Sequence, residues 1–507
     1  QLNYRGFAYL VEELAAQGFV TVAINANAEF NSGYGDSPPG ERLGQIIEMH
    51  LGKLVEAAQG GQNQFGVDLY GRIDPHHVAW IAHSRSAELA GRLIRDRRLD
   101  DALTAAYTGY GPVAGLLQTA PTLDLADSLP AADLPLALIL PACDGRVRDL
   151  AGQTLYEALR GDPQRSAPAT TLLLEAANHN QFNAIVTPDL AAATVSPHCR
   201  LSELLLPREQ ETFLAAYAAD FMASLFATPQ ESAAAAANLG LDSAAVVPQE
   251  LFGRQARITV SPQAVNEDLL LRPFSAAELS RNLMGGDVAA DNAALTYCPP
   301  GTNLHEADAA LAPCRRLLAN HPGNPAQLLL SWKQPGAALH FSLPPGGLDI
   351  RSHAAVQLRA ALDPLSPLNV PGLDQSFSTS LTDAQGRSAL VVVPAGSPAL
   401  LYPPGEIEQD GRFSGHVHMS AIRLPLDAFT DIDLSAISEV SLHFDQSDSG
   451  ALFIADLGFL RQQRYPGAAS TLLVNNGALD HLRGIGRLHG ASSCTCLLYT
   501  SDAADDN

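Results

Sequence analysis

The hydrophobic pattern of this 507-residue chain changes period near Ala227, and no other feature constrains its fold as strongly. Upstream, runs at helical spacing (4–17, 41–58, 87–94, 150–159 and 208–226) alternate with short apolar or β-branched runs (19–24, 78–82, 103–108, 136–140 and 170–174). Strands separated by helices predict a parallel sheet covered on both faces. Downstream of about residue 255 the helical period disappears. Short strand-like runs at 257–260, 327–332, 338–343, 376–382, 388–393, 421–426, 439–444 and 451–460 are punctuated by clusters such as Pro344-Pro345-Gly346-Gly347 and Pro403-Pro404-Gly405. That spacing predicts a β-sandwich. The expected organisation is therefore α/β over 1–226, a linker at 227–254, an all-β, jelly-roll-like sandwich over 255–461, and a tail at 462–507.

Composition narrows the function classes. A net charge of −23 argues against a nucleic-acid partner, which would need clustered Lys and Arg, and against docking on anionic membranes. No apolar run is long enough to span a bilayer. The chain begins at Gln1, so a signal peptide has been removed or an N-terminal portion is missing. Of the six cysteines, none forms the paired C-x-x-C set of a structural zinc site. Cys143–Cys199 and Cys298–Cys314 are the expected disulfides, which points to a secreted, periplasmic or cell-surface location.

Chemistry concentrates at three places in the first half. Ser84 follows the strand signal at 78–82 and precedes the helix signal at 87–94. A hydroxyl on such a turn is exposed to substrate, and the backbone N–H that follows it, here that of Arg85, can face a developing oxyanion. The plainer reading of this serine is a helix N-cap. Asp144 lies just past the strand at 136–140, followed by Gly145 as in an ordinary turn, with Asp149 as a rival acid. His179 lies in a polar loop past the strand at 170–174, and only His198 also falls between the acid and the last helix of this half. A serine hydroxyl needs a base, and the base needs an orienting acid. Ser84, Asp144 and His179 supply all three in that chain order.

The run Ala82-His83-Ser84-Arg85-Ser86-Ala87-Glu88 resembles the Gly-His-Ser-Arg-Gly-Gly-Glu elbow of bacterial α/β-hydrolases related to cutinase-like polyesterases and platelet-activating-factor acetylhydrolases. It departs from that pattern where Ala82 and Ser86 replace glycine. The run Asn178-His179-Asn180-Gln181-Phe182-Asn183 resembles the Asn-His-Asn-Phe-Phe-Asn block of the same family, and Asn25-Ala26-Asn27 also fits. Over 1–226 the resemblance implies an α/β-hydrolase sheet, N-terminally truncated, and cleavage of a small-molecule or polymeric carboxylic ester without cofactor or metal. It also implies a second oxyanion donor in a loop upstream of Gln1. The competing class is a catalytically impaired hydrolase-fold protein that binds carbohydrate or a surface.

The segments 422–440 and 450–459 resemble the closing strands of galactose-binding-like β-sandwiches, a family that includes carbohydrate-binding modules, which implies a possible glycan ligand. Trp332 and Tyr402 are the candidate aromatic platforms. His416 and His418, two apart, could face one side of a strand as metal ligands, but no carboxylate partner has suitable spacing. The run from Cys496 to Asp505 resembles a translated sequencing-library adapter, and neither it nor Cys494 is expected to carry structure or function.

Overall fold

The computed structural model describes residues 3–25, 41–99, 112–123, 133–191, 197–300, 314, 324–409, 411, 413–462 and 494–500. The strand expected at 103–108 lies outside them. Six helices are described: α1 (Ala8–Ala16), α2 (Glu41–Ala58), α3 (Arg85–Leu99), α4 (Gln153–Arg160), α5 (Pro207–Phe226) and α6 (Pro229–Asn238). The first half contributes β1 (Val20–Asn25), β2 (Asp74–His83), β3 (Val113–Thr119), β4 (Leu136–Cys143) and β5 (Ala169–Asn178), and past α6 come β6 (Glu250–Leu251) and β7 (Arg254–Ser261). Then follow β8 (Glu267–Leu271), β9 (Val288–Asp291), β10 (Ala293–Cys298), β11 (Gln327–Trp332), β12 (Ala337–Ser342), β13 (His353–Leu362), β14 (Ser378–Asp383), β15 (Ser388–Val392), β16 (Ser420–Pro425), β17 (Ile437–Phe444), β18 (Gly450–Arg461) and β19 (Cys494–Thr500).

An eight-stranded sheet has the order β1-β19-β2-β3-β4-β5-β7-β6. Strand alternation feeds two cores. Ala79, Ile81, Leu117, Ile139 and Leu172 pack with Leu10 and Leu14 of α1 and Phe213 and Met222 of α5, whereas Val78, Trp80, Leu116 and Leu138 pack with Leu51 of α2, Ile94 of α3 and Tyr156 of α4. Both sheet faces are dry, which is why these strands read as continuous apolar runs.

The expected α/β class, an α/β-hydrolase parallel sheet followed by a sandwich, needs correction. Strand (33%) exceeds helix (25%). Only the pairings from β1 through β5 are parallel; β7 pairs antiparallel with β5, and β6 with β7. Every described pairing from β8 to β18 is also antiparallel. The physical reason is connection length. The 384–387 turn that joins the paired strands β14 and β15 is too short for the crossover that a parallel neighbour requires.

Two boundaries also move. The expected linker contains α6, which begins with Pro229 at its first position and a capping box between Thr228 and Glu231, and continues in alanines of high helix propensity. Thr228 Oγ1 donates to Glu231 Oε2 at 2.8 Å. The expected sandwich start at 255 falls inside β7, a strand of the first sheet. The expected tail is not featureless either: β19 lies between β1 and β2, parallel to both. Its run Cys-Thr-Cys-Leu-Leu-Tyr-Thr has the β-branched and apolar character of an interior strand.

The remaining strands form a six-stranded sheet and a five-stranded sheet, the latter ordered β15-β14-β17-β12-β9. Leu328, Leu330, Val356 and Leu358 of one face Leu339, Phe341, Leu381 and Leu442 of the other in a shared core, which makes a β-sandwich.

The sandwich is anchored to the first half by buried charge. Asp456 on β18 accepts from Arg160 on α4 and from Arg272, at 2.5 and 3.0 Å, and forms an ion pair with Arg359 on β13 at 2.8 Å. Burial alone would raise the Asp456 carboxyl, but the three guanidiniums reverse this and hold it down at about 2. Arg423 of β16 donates to the carbonyls of Gly240 and Asp242, just past α6, and to Oε1 of Gln357 on β13.

Candidate active site

Ser84 occupies the single-residue turn between β2 and α3. Its φ of 57° lies in the left-handed region, which costs a non-glycine residue roughly 1–2 kcal/mol. The turn persists because it is tied on both sides. Ser84 N–H donates to the Thr119 carbonyl at 2.9 Å, and Ala87 N–H donates to the Ser84 carbonyl at 2.9 Å. Ala82 and Ser86, which stand where glycine was expected, are both fully buried, and their small side chains fit the tight turn. Arg85 opens α3 with its side chain exposed and its N–H in the first helical turn, beside the nucleophile candidate.

Asp144 follows the last residue of β4. Its Oδ1 accepts the N–H groups of Arg146 and Val147 at 2.8 and 2.6 Å, so the carboxylate is held by backbone. Gly145 is required by a close approach, since a Cβ there would meet the Asp189 carboxylate at 2.5 Å. One residue upstream, Cys143 is joined by a disulfide to Cys199, and a second disulfide joins Cys298 to Cys314.

His179 is aimed by an irregularity in β5. Between Leu174 and Asn178 the register with β4 shifts, and Ala176 there has a φ of 57°. Such bulges re-aim the side chains that follow. Asn178 is clamped from α5: its N–H donates to Gln210 Oε1 at 2.9 Å, and Gln210 Nε2 donates back to its carbonyl at 2.6 Å. The Asn178 amide also donates to the Cys143 carbonyl and so ties the base's loop to the acid's strand.

These elements bring the three expected residues together. His179 Nδ1 lies 2.8 Å from Asp144 Oδ2, and His179 Nε2 lies 3.0 Å from Ser84 Oγ. An ionised carboxylate only accepts, so the neutral imidazole carries its proton on Nδ1 and accepts from the serine hydroxyl at Nε2. All three side chains are buried.

Behind the base stands His83. Its Nε2 donates to the His179 carbonyl at 3.0 Å, and its ring centroid lies 4.9 Å from that of His179. Phe7 and Phe182 also pack near the His83 ring. Burial first, then the neighbouring His179, pushes the His83 imidazole down to about 3.

The other candidates are placed elsewhere. The Asp149 carboxylate accepts from Ala151 N–H, a local turn bond. Trp332 is buried and stacked on Phe444 at 4.6 Å, so it offers no platform, and the half-buried Tyr402 donates its hydroxyl to the Pro364 carbonyl. His418 is buried with Nδ1 3.2 Å from Ser420 Oγ, and neither it nor His416 joins a ligand cluster among the described residues. The grouping with metal-ligand geometry there is Cys143, His198 and Cys199, whose two sulfurs are consumed by their disulfide. Sequence reasoning missed Gln210 and did not assign His83 a task. Gln210 sits on a helix with no motif around it; His83 was visible only as one letter of the elbow.

No protein-family model and no curated protein matches the chain. Among solved structures it is similar to the family 11 carbohydrate-binding module of a cellulosomal cellulase of Clostridium thermocellum (9% identity, 39% of this chain and 95% of that chain, TM-score 0.23). It is also similar to an exo-β-agarase (15%, 39% and 25%, TM-score 0.22) and to an arabinose-bound α-L-arabinofuranosidase (14%, 38% and 26%, TM-score 0.22). The chain spans about a quarter of the length of those two enzymes. These neighbours are carbohydrate-binding and glycoside-processing structures, not α/β-hydrolases.

Proposed function

We propose that this chain is a serine hydrolase that cleaves carboxylic esters through an acyl-enzyme. One observation carries the reading: a left-handed Ser84 whose Oγ lies 3.0 Å from a histidine that is itself 2.8 Å from a buried aspartate. Ser84 Oγ attacks the ester carbonyl while His179 Nε2 takes its proton. Asp144 keeps Nδ1 protonated and stabilises the imidazolium. The Arg85 N–H, in the first turn of α3, is the proposed oxyanion donor. His179 then protonates the leaving alkoxide, and water, deprotonated by the same nitrogen, releases the acid. The two disulfides fit an oxidising compartment, and among the described residues no helix is long and apolar enough to cross a membrane.

A fluorophosphonate probe is expected to label Ser84, and p-nitrophenyl acetate to be turned over. Ser84→Ala and His179→Ala should each lose on the order of 10⁴-fold or more in kcat. Absence of labelling in the wild-type chain would refute the reading.

The second reading concerns the sandwich and is a glycan ligand. The carbohydrate-binding modules among the neighbours support it, as does a triad with no exposed surface, which fits a binding protein with an idle site. Glycan-array binding by the full chain, unchanged in Ser84→Ala, is the expected result. A flat array removes this reading and leaves the first untouched.

A further inference from the structure

The triad accounts for the proton path but not for what holds the base between Ser84 and Asp144. His179 lies just beyond a bulged strand end and starts a single 3-10 turn, Asn180–Phe182. Its Nε2 must point at Ser84 while Nδ1 points at Asp144, so a small backbone rotation would break both bonds. Among the described residues, His83, from the strand that delivers the nucleophile, bonds the His179 carbonyl.

We propose that His83 is the positioning residue for the base. Its Nε2–H on the His179 carbonyl, together with its ring against the His179 ring, holds the imidazole in line with both Ser84 and Asp144. The proposal rests on the serine-hydrolase reading. It follows from three observations. A carbonyl only accepts, so His83 must carry its proton on Nε2 for the 3.0 Å bond to exist. The ring is enclosed by Phe7, Phe182 and His179, surroundings that favour a neutral imidazole. A neutral His83 also adds no second positive charge beside His179 at the moment His179 becomes imidazolium. Finally, His83 directly precedes Ser84, so one short segment fixes the nucleophile by its turn and the base by its side chain.

The test compares two substitutions of equal length that differ in the N–H. His83→Gln can present an amide nitrogen near the position of Nε2, whereas His83→Met cannot donate. Both are assayed in the full chain with p-nitrophenyl acetate across pH, alongside fluorophosphonate labelling of Ser84 and thermal melts. His83→Met is expected to lower kcat on the order of tenfold to a hundredfold with little change in KM, because the base loses alignment and not the substrate its site. Its kcat–pH profile should shift, since a loosened imidazole titrates in changed surroundings. His83→Gln should recover most of kcat and the wild-type profile. A His83→Met enzyme with wild-type kcat and pH profile overturns the proposal, as does a folded His83→Gln that falls as far as His83→Met. If His83→Met does not fold, His83→Gln decides alone: kcat within about threefold of wild type supports the role, and a loss of tenfold or more defeats it. A wild-type chain that neither labels nor turns over instead removes the serine-hydrolase reading, and the role of His83 falls with it.

Discussion

Arg359 on β13 of the sandwich donates through Nη1 to Glu157 Oε1 on α4 at 2.9 Å, across 202 positions of chain. The same guanidinium reaches Asp456, and Arg272 also holds Glu267, so three carboxylates and three arginines close a buried network over the junction of the halves. Replacing an intact buried network by apolar groups can be neutral, but removing one member strands the others.

Asp456→Asn is therefore expected to cost about 3–5 kcal/mol, read as a lowered urea midpoint. The two tryptophans report on the halves separately, Trp80 in the first sheet and Trp332 in the sandwich. Single-tryptophan versions made by Trp80→Phe and Trp332→Phe should unfold with coincident midpoints. Two separated transitions would show that the network does not couple the halves.

Acid should weaken the fold in two ranges. The folded His83 titrates at about 3, well below an ordinary histidine, so between about pH 6.5 and 3 the unfolded chain binds the extra proton and stability falls as pH falls. The folded Asp456 titrates at about 2, below an ordinary aspartate, so its contribution is full above about pH 4 and is lost toward pH 2. Urea midpoints measured from pH 7 downward should decline through both ranges, and His83→Met should flatten only the upper one.

The Cys143–Cys199 disulfide spans 56 positions and ends one residue before the catalytic acid candidate. Cys199→Ser should cost up to about 4 kcal/mol by the chain-entropy relation, and should lower kcat at temperatures where the chain is still folded. Cys298→Ser is expected to leave kcat unchanged, because that bond lies in the sandwich. Equal effects of the two on kcat would count against a link between Cys143 and Asp144.

Gln210→Ala removes both bonds to the Asn178 backbone and leaves a buried N–H and carbonyl there without those partners. A stability loss of about 1–3 kcal/mol is expected, with a drop in kcat as the base's loop relaxes. Gln210→Glu should keep the bond from the Asn178 N–H and lose the one to its carbonyl, giving an intermediate kcat.

Most first-half helices and strands were legible in sequence because each buries a periodic face, and Ser84, Asp144 and His179 stood out because each follows a strand. The ten-residue β13 was not: its His-Ala-Ala-Val-Gln-Leu-Arg-Ala-Ala-Leu run has the alanine and leucine content of a helix, and only pairing with β16 and β18 makes it a strand. Tertiary pairing overrides a weak local preference there. The strand β3 was missed because Val113–Thr119 follows a Gly-Pro pair and carries one interior glycine. The class assignment missed because the sandwich supplies more strands than its visible turns announced. In the site, Gln210 was hidden because a helical glutamine gives no signal until its partner Asn178 is brought beside it.

The antiparallel pairing of β7 on β5 has a consequence for how such a chain can be cut or recombined. A piece that stops after α5 would bare the Ala169–Leu174 edge, an apolar row of unpaired N–H and carbonyl groups that invites stacking with other copies. Swapping the sandwich for another at the apparent boundary would also strip Asp456 from Arg160. A cut after β18 would in turn remove β19 from between β1 and β2, so exchange of either half alone is expected to expose paired backbone.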